Sequence, residues 1–221
     1  MSSKYHKIHT LFKRETEKPC NIILGEYSRP EFEYLKNNMW VWTEKIDGTN
    51  IRVIWDGKEV TFGGRTDNAQ IPATLVKRLI EMFPKENMMK AFPTLDPDAK
   101  VILYGEGYGK GIQKGGVYIK DGVNFILFDI RIGHWWLRRE DKEKVADDLG
   151  IQIVPIVVTC NLEDAISGVK IGFSSKIAQD KNYISEGLVG VPEVELSSRS
   201  GERVITKLKY RDFSFLRDLD K

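Results

Sequence analysis

The chain has 221 residues, 41% hydrophobic and 30% charged, with 34 Lys and Arg against 32 Asp and Glu for a net charge of +2. That length can bury a substantial core. The mild charge demands no polyanionic partner, although a basic cleft can hide within an even total.

The N-terminal stretch MSSKYHKIHTLFKRE is charged throughout and lacks the apolar core of a signal peptide. Its Phe12, Lys13 and Arg14, within 7–15, could edge a ligand pocket or simply dock the segment on the core. Residues 39–44, 50–56 and 59–64 are rich in β-branched and aromatic residues and read as strands. Asp56-Gly57 marks a hairpin turn between the last two. Across 72–90, Leu75, Leu79, Met82 and Phe83 recur at helical spacing behind a proline, which predicts one helix. Residues 100–109 read as a strand entering a Gly-rich loop, and 124–133 as a buried strand. The loop 107–122 is basic and Gly-rich, with Lys110, Gln113 and Lys114 able to grip a phosphate strand or merely to face water.

Residues 138–150 predict a charged surface helix ending at Gly150. A short strand is expected near 151–158, then a helix opened by Asn161 as N-cap. EGLVGVPE and GERVITKLKYRDF read as two late strands. The irregular mixture favours an α+β fold with antiparallel sheets over a doubly wound one. No repeat, low-complexity tract or Gly/Ser linker interrupts the sequence, so 1–221 reads as a single domain. Cys20 and Cys160 offer neither a disulfide framework nor a zinc spacing. His6, His9 and His134 are too dispersed for a triad or metal cluster, and no run is long enough to cross a membrane. A soluble protein of a reducing compartment is expected.

The stretch WVWTEKIDGTNIRVIWDG, Trp40 to Gly57, places one amine, Lys45, between apolar strands and beside an Asp-Gly turn. A lysine is a poor nucleophile while protonated. Burial or neighbouring positive charge must disfavour the ammonium form. Bringing its pKa from about 10.4 towards about 7–8 takes roughly 3–4 kcal/mol. The apolar flanks supply one lever. Lys207 and Lys209, alternate residues on a strand and therefore on one face, supply another and could also grip a phosphate. Taken alone, Lys-x-Asp-Gly recurs by chance, and a solvated hairpin lysine is the plainer reading. Its ordered company changes that: Glu106 in GEGYG, Phe128 in FILFDI, Glu186 in EGLVG, then the Lys-x-Lys strand.

On these motifs the chain resembles the covalent lysine nucleotidyltransferase superfamily of DNA ligases, RNA ligases and mRNA capping enzymes. Within it, the sequence most resembles the RNA ligase 2-like family. EKIDGTN is similar to motif I, with Asn50 five residues after the nucleophile. FGGRTDN is similar to the downstream arginine segment, GEGYG to motif III, FILFDI to IIIa, EGLVG to IV and ITKLKYRDF to V. The likeness runs from about residue 40 to 213. It implies an ATP-grasp-like adenylation domain, with antiparallel sheets flanked by helices, that joins RNA ends by phosphoryl transfer. Lys45 would take AMP from ATP, pass it to an RNA 5′-phosphate, and a 3′-hydroxyl would then displace AMP. ATP and Mg²⁺ or Mn²⁺ are the implied cofactors, and RNA ends, including those at a nick in a duplex, the implied partner.

The resemblance also implies the roles of individual residues. Phe128 would stack on the base, Glu44 would lie at the base edge and Glu106 would bond the ribose hydroxyls. Asn50 would orient phosphate or metal-bound water, and Arg65 would contact phosphate. Glu186 would hold the metal, largely through water. Lys207 and Lys209 would join Lys45 as catalytic groups, gripping the α-phosphate. Each has a plain alternative: a core aromatic, a cross-strand ion pair, a turn residue, an exposed arginine or solvated lysines.

The sequence ends a few residues after motif V, without room for the OB-fold of DNA ligases and capping enzymes. A minimal module is expected, with an accessory protein as one source of the missing grip. The likeness makes a cytoplasmic setting and a viral source plausible expectations. A DNA ligase, a capping-type guanylyltransferase and a non-catalytic RNA-binding relative are the alternatives.

Overall fold

A computed structural model of the chain describes residues 4–96, 98–113 and 118–219. Two compact units emerge. One is built from residues 4–5, Asp47–Val154 and Ile177–Asp180, the other from His6–Ile46, Pro155–Lys176 and 181–219. We call them the sheet unit and the lysine unit.

The lysine unit opens with β1 (His9–Thr10), β2 (Phe12–Arg14), β3 (Ile22–Tyr27), the short helix α1 (Pro30–Tyr34) and β4 (Trp40–Glu44). The strand expected over 39–44 is observed as β4, with Trp40, Trp42 and Glu44 all turned to the buried face. In the sheet unit the chain forms β5 (Thr49–Trp55), β6 (Val60–Gly63), α2 (Ala73–Met82), α3 (Lys85–Ala91), β7 (Val101–Gly109), β8 (Val123–Ile132), β9 (Trp135–Trp136), α4 (Arg139–Leu149) and β10 (Gln152–Ile153). Back in the lysine unit come β11 (Ile156–Cys160), α5 (Leu162–Ile171), β12 (Gly187–Pro192), β13 (Thr206–Lys209), a 3₁₀ turn (Tyr210–Phe213) and α6 (Ser214–Leu219).

The sheet unit holds six strands in the order β10-β8-β7-β5-β6, with β9 beside β8. Ile51, Val53 and Trp55 of β5 share a core with Leu75 and Leu79 of α2, Met88 of α3, Phe125 and Leu127 of β8, and Leu149 of α4. The lysine unit has a five-stranded sheet, β1-β13-β12-β4-β11, and a separate β2-β3 pair. Its core gathers Trp40, Trp42, Leu188 and Leu208 with Leu162 and Val169 of α5 and Phe213. Most pairings are antiparallel; β1 with β13 and β10 with β8 are parallel. The fold is α+β with antiparallel sheets, as the sequence suggested.

Several local expectations change. The helix predicted over 72–90 is two helices, because Pro84 lacks the N–H and disfavours helical geometry at Phe83. GEGYG is not a loop but the second half of β7, buried on both faces apart from Glu106. The strand expected near 151–158 divides into β10 and β11, which join different sheets. The last predicted strand is only Thr206–Lys209 before the 3₁₀ turn. In 7–15, Phe12 is buried against Tyr27, Lys13 pairs with Glu26, and Arg14 pairs with Asp212. Asn161 caps α5 as expected, its Oδ1 accepting from Asp164 N at 2.9 Å, and Gly150 ends α4 at φ 65°. Lys114 lies outside the described residues.

Candidate active site

Lys45 follows the last residue of β4. Its backbone N–H donates to Gly187 O at 2.9 Å, extending the β4–β12 ladder by one rung. Its Nζ donates to Glu186 Oε2 at 2.5 Å, and Lys209 Nζ approaches Glu186 Oε1 at 2.8 Å. One carboxylate therefore bridges two ammonium groups. The three side chains are only 21%, 16% and 12% exposed for Lys45, Lys209 and Glu186. Burial alone would raise the Glu186 pKa. The Lys45 charge, hydrogen bonds from Lys209 and Lys45, and the Lys209 charge outweigh it and hold the group below the ordinary carboxylate value.

Backbone geometry makes this cluster possible. Gly187 has φ 148°, and a Cβ there would lie 2.0 Å from Leu208 O. Only glycine lets β12 start this close to β13. On β13, Thr206 and Leu208 are buried while Lys207 and Lys209 alternate with them, so the two lysines share the other face.

Glu44 precedes Lys45 and is 2% exposed. Its two oxygens accept from Ser175 Oγ and, at 2.8 Å, from the Lys176 backbone N–H. Burial pushes its pKa up, and the hydrogen bonds from Ser175, Lys176 and Ser185 offset only part of that rise.

Other candidate residues belong to the sheet unit. Asn50 and Glu106 are register partners across β5 and β7. Asn50 Oδ1 is buried and finds no hydrogen-bond partner among the described residues. A Cβ on Gly48 would lie 2.3 Å from Gly107 O, so the DGTN turn is pressed onto β7. The Asp47 N–H donates to Tyr118 Oη at 3.1 Å. Phe128 is the unpaired residue of a bulge in β8, where the partners of Tyr104 and Gly105 are Asp129 and Leu127. Its ring meets Tyr5 at 5.1 Å and 75°, and Tyr5 Oη donates to Asp129 Oδ2 at 2.8 Å. Arg65 is exposed in the bend after β6.

The RNA ligase family model matches residues 38–209. The chain belongs to the RNA ligase family. Comparison with curated proteins gives no match. Among solved structures, the chain is similar to an RNA ligase of Naegleria gruberi with pyrophosphate, at 20% identity and a TM-score of 0.60, covering 100% of this chain and 64% of that one. It is also similar to a glutamate-to-alanine mutant of that ligase with ATP and Mn, at 18% identity and a TM-score of 0.62, covering 97% and 62%. A lysine-to-methionine mutant with AMP and Mn gives 18% identity, a TM-score of 0.60, and coverage of 96% and 61%. This likeness is one of fold, and the chain spans 54–64% of the Naegleria chains it matches.

The matched span holds every site residue expected from the sequence. Lys45, Glu186 and Lys209 come together in the lysine unit, with Lys207 on the strand face of Lys209 and Glu44 beside Lys45. Asn50, Glu106, Phe128 and Arg65 lie in the sheet unit. Ser175, Tyr118 and Tyr5 were not singled out by motif reading. Each holds a motif residue from a distant segment, and no local pattern marks such a partner.

The donor set bears on a metal. No group of three or more His, Cys, Asp or Glu able to hold an ion occurs among the described residues. Glu186 offers one carboxylate to Lys45 and Lys209. That suits a hard divalent ion that keeps most of its waters and shares substrate phosphates, and does not suit a protein-caged ion. No helix among the described residues is long and apolar enough to cross a membrane.

Proposed function

We propose that this chain is the adenylation module of an ATP-dependent RNA ligase that joins 5′-phosphate to 3′-hydroxyl ends, including ends at a nick in a duplex. The observation that carries this reading is Glu186 bridging Lys45 and Lys209 in a member of the RNA ligase family.

Lys45 Nζ attacks the α-phosphorus of ATP. An N–P bond forms, the bond to the bridging oxygen breaks, and pyrophosphate leaves. A 5′-phosphate oxygen of RNA next attacks that phosphorus, which frees the Lys45 amine and gives 5′-adenylated RNA. A 3′-hydroxyl oxygen then attacks the RNA 5′-phosphorus, forms the phosphodiester and releases AMP. All three steps are phosphoryl transfers, so positioning and charge neutralisation dominate.

While its Nζ is engaged by Glu186, Lys45 is not placed to attack a phosphorus. Release of Lys45 from Glu186 is therefore the required first event. Lys207 and Lys209 then meet charge developing on the α-phosphate. Glu186 would hold Mg²⁺ or Mn²⁺, mainly through water, and the ion would neutralise phosphate charge. In this reading Phe128 stacks on adenine, Glu44 reads the base edge and Glu106 binds the ribose. Asn50 offers its orphan oxygen to water around the phosphates, and Arg65 meets an RNA phosphate. The module acts as a single adenylation domain in the cytoplasm, and an accessory protein would add grip on RNA.

The test is labelling with α-³²P-ATP and divalent metal, wild type against Lys45→Ala, followed by a chase with nicked RNA duplex. Label on wild type alone that moves into sealed RNA supports the reading. Label retained by Lys45→Ala, or no label from ATP, overturns it. Preferential labelling by GTP would point to a capping-type reaction.

A further inference from the structure

We infer that Arg52 is the positioning residue for Arg65, and that it presents Arg65 to the 5′-phosphate of an RNA end. The inference rests on the ligase reading for the identity of that phosphate.

Arg52 interrupts the apolar alternation of β5. Ile51, Val53 and Trp55 face the core, and Arg52 faces the other way yet is only 2% exposed. A guanidinium this buried requires fixed acceptors. Its Nε donates to Gly64 O at 2.7 Å, and its Nη1 to Asp67 Oδ1 at 2.9 Å. Those acceptors bracket Arg65 in sequence.

The rest of FGGRTDN is shaped around the same group. Gly63 lies opposite Arg52 in the β5–β6 register, and a Cβ there would sit 2.8 Å from Arg52 Nη2 and 3.1 Å from Cζ. Glycine lets the guanidinium lie against the backbone. A Cβ on Gly64 would come 2.8 Å from Ala69 Cβ, and Ala69 N–H closes the turn on Thr66 O at 3.1 Å. The segment is thus wrapped on a buried fork, with Arg65 and Thr66 exposed between two anchors and Arg65 the one that carries a charge. A long side chain on a fixed backbone loses less freedom when it grips phosphate. Lysine at 52 would keep the charge but lose the planar fork that spans both acceptors.

The test is a double-mutant cycle read by equilibrium binding. The probes are a 5′-phosphorylated RNA oligonucleotide and the same oligonucleotide with a 5′-hydroxyl. Arg52→Lys and Arg65→Ala should each weaken binding of the phosphorylated RNA about tenfold, the scale of a lost charged hydrogen bond. The double variant should bind no more weakly than Arg65→Ala, and the hydroxyl RNA should bind alike in all four. Asp67→Ala removes one anchor at a largely exposed site and serves if Arg52→Lys does not fold. It should weaken binding about threefold, again without adding to Arg65→Ala. Additive losses, equal losses on both RNAs, or a silent Arg65→Ala each overturn the inference. AMP labelling of the same wild-type preparation separates the two readings. No label with an intact cycle sinks the ligase and keeps the Arg52 inference; label with an additive cycle does the reverse.

Discussion

Glu44, buried, and Glu186, partly buried, are carboxyls beside one lysine, and their environments push them in opposite directions. Glu44 has neutral donors and deep burial, so its pKa rises. Glu186 has two ammonium groups that overcome its burial, so its pKa falls. A depressed native carboxyl adds stability above its unfolded pKa, and that stability is lost as pH falls through the lower native value. A raised one acts with the other sign, and its burial costs stability as pH rises through the native value. Glu186→Gln should therefore destabilise the protein by about 1–3 kcal/mol near neutral pH. The difference from wild type should shrink as pH falls below the ordinary carboxylate value of about 4.3 and then through the lower native one, where the wild-type carboxyl protonates too. Urea denaturation of both proteins from about pH 7 to about pH 3 checks this; a pH-independent difference would mean that the ion pairs do not hold Glu186 ionised. Glu44→Gln should show the opposite trend, gaining on wild type between about pH 4 and pH 7. The same denaturation series reads it, and a fixed offset between the two proteins would count against desolvation as the cause.

At the scale of elements, glycines decide how closely the strands can lie. A Cβ on Gly105 in β7 would stand 2.2 Å from the Phe125 ring and 2.4 Å from Ile126 O. Both neighbours are locked in the core, so Gly105→Ala should cost about 3 kcal/mol through overpacking. Asn161→Ala, which removes only the α5 cap, should cost about 1 kcal/mol. Thermal denaturation should rank the two in that order, and a mild Gly105→Ala would mean that β7 and β8 can separate. These elements also mark what the sequence disclosed. The β4 strand, the α5 cap and the Lys-x-Lys face were legible because each follows from a local period or cap. The glycines of GEGYG read as loop because their purpose, close approach of Gly105 and Gly109 to β8 and its lead-in and of Gly107 to Leu75 of α2, depends on distant segments. The break at Pro84 was hidden by apolar spacing that continues through it. The site motifs were visible in order, but the pairing of Lys45 with Lys209 through Glu186 requires β12 to lie between β4 and β13, which strand order alone supplies.

At the scale of the whole molecule, each unit has its own apolar core. Lys45, Glu186 and Lys209 share one unit with Glu44 and Lys207, while Asn50, Arg65, Glu106 and Phe128 belong to the other. The chain passes from the first to the second between Ile46 and Asp47, inside motif I. Neither core relies on a metal cluster among the described residues, and Cys20 and Cys160 are both free. On the proposed reading a divalent ion would arrive with the nucleotide phosphates. EDTA should then abolish AMP labelling of Lys45 while shifting the melting temperature by less than about 1 °C, because a ligand stabilises only a state that it binds. ATP with Mn²⁺ should raise the melting temperature of wild type, and Glu186→Gln should reduce that rise if this carboxylate holds the ion. A large loss of stability with EDTA alone would mean that metal is part of the fold. An unchanged ATP–Mn²⁺ shift in Glu186→Gln would move the ion elsewhere and leave Glu186 as a lysine-positioning group.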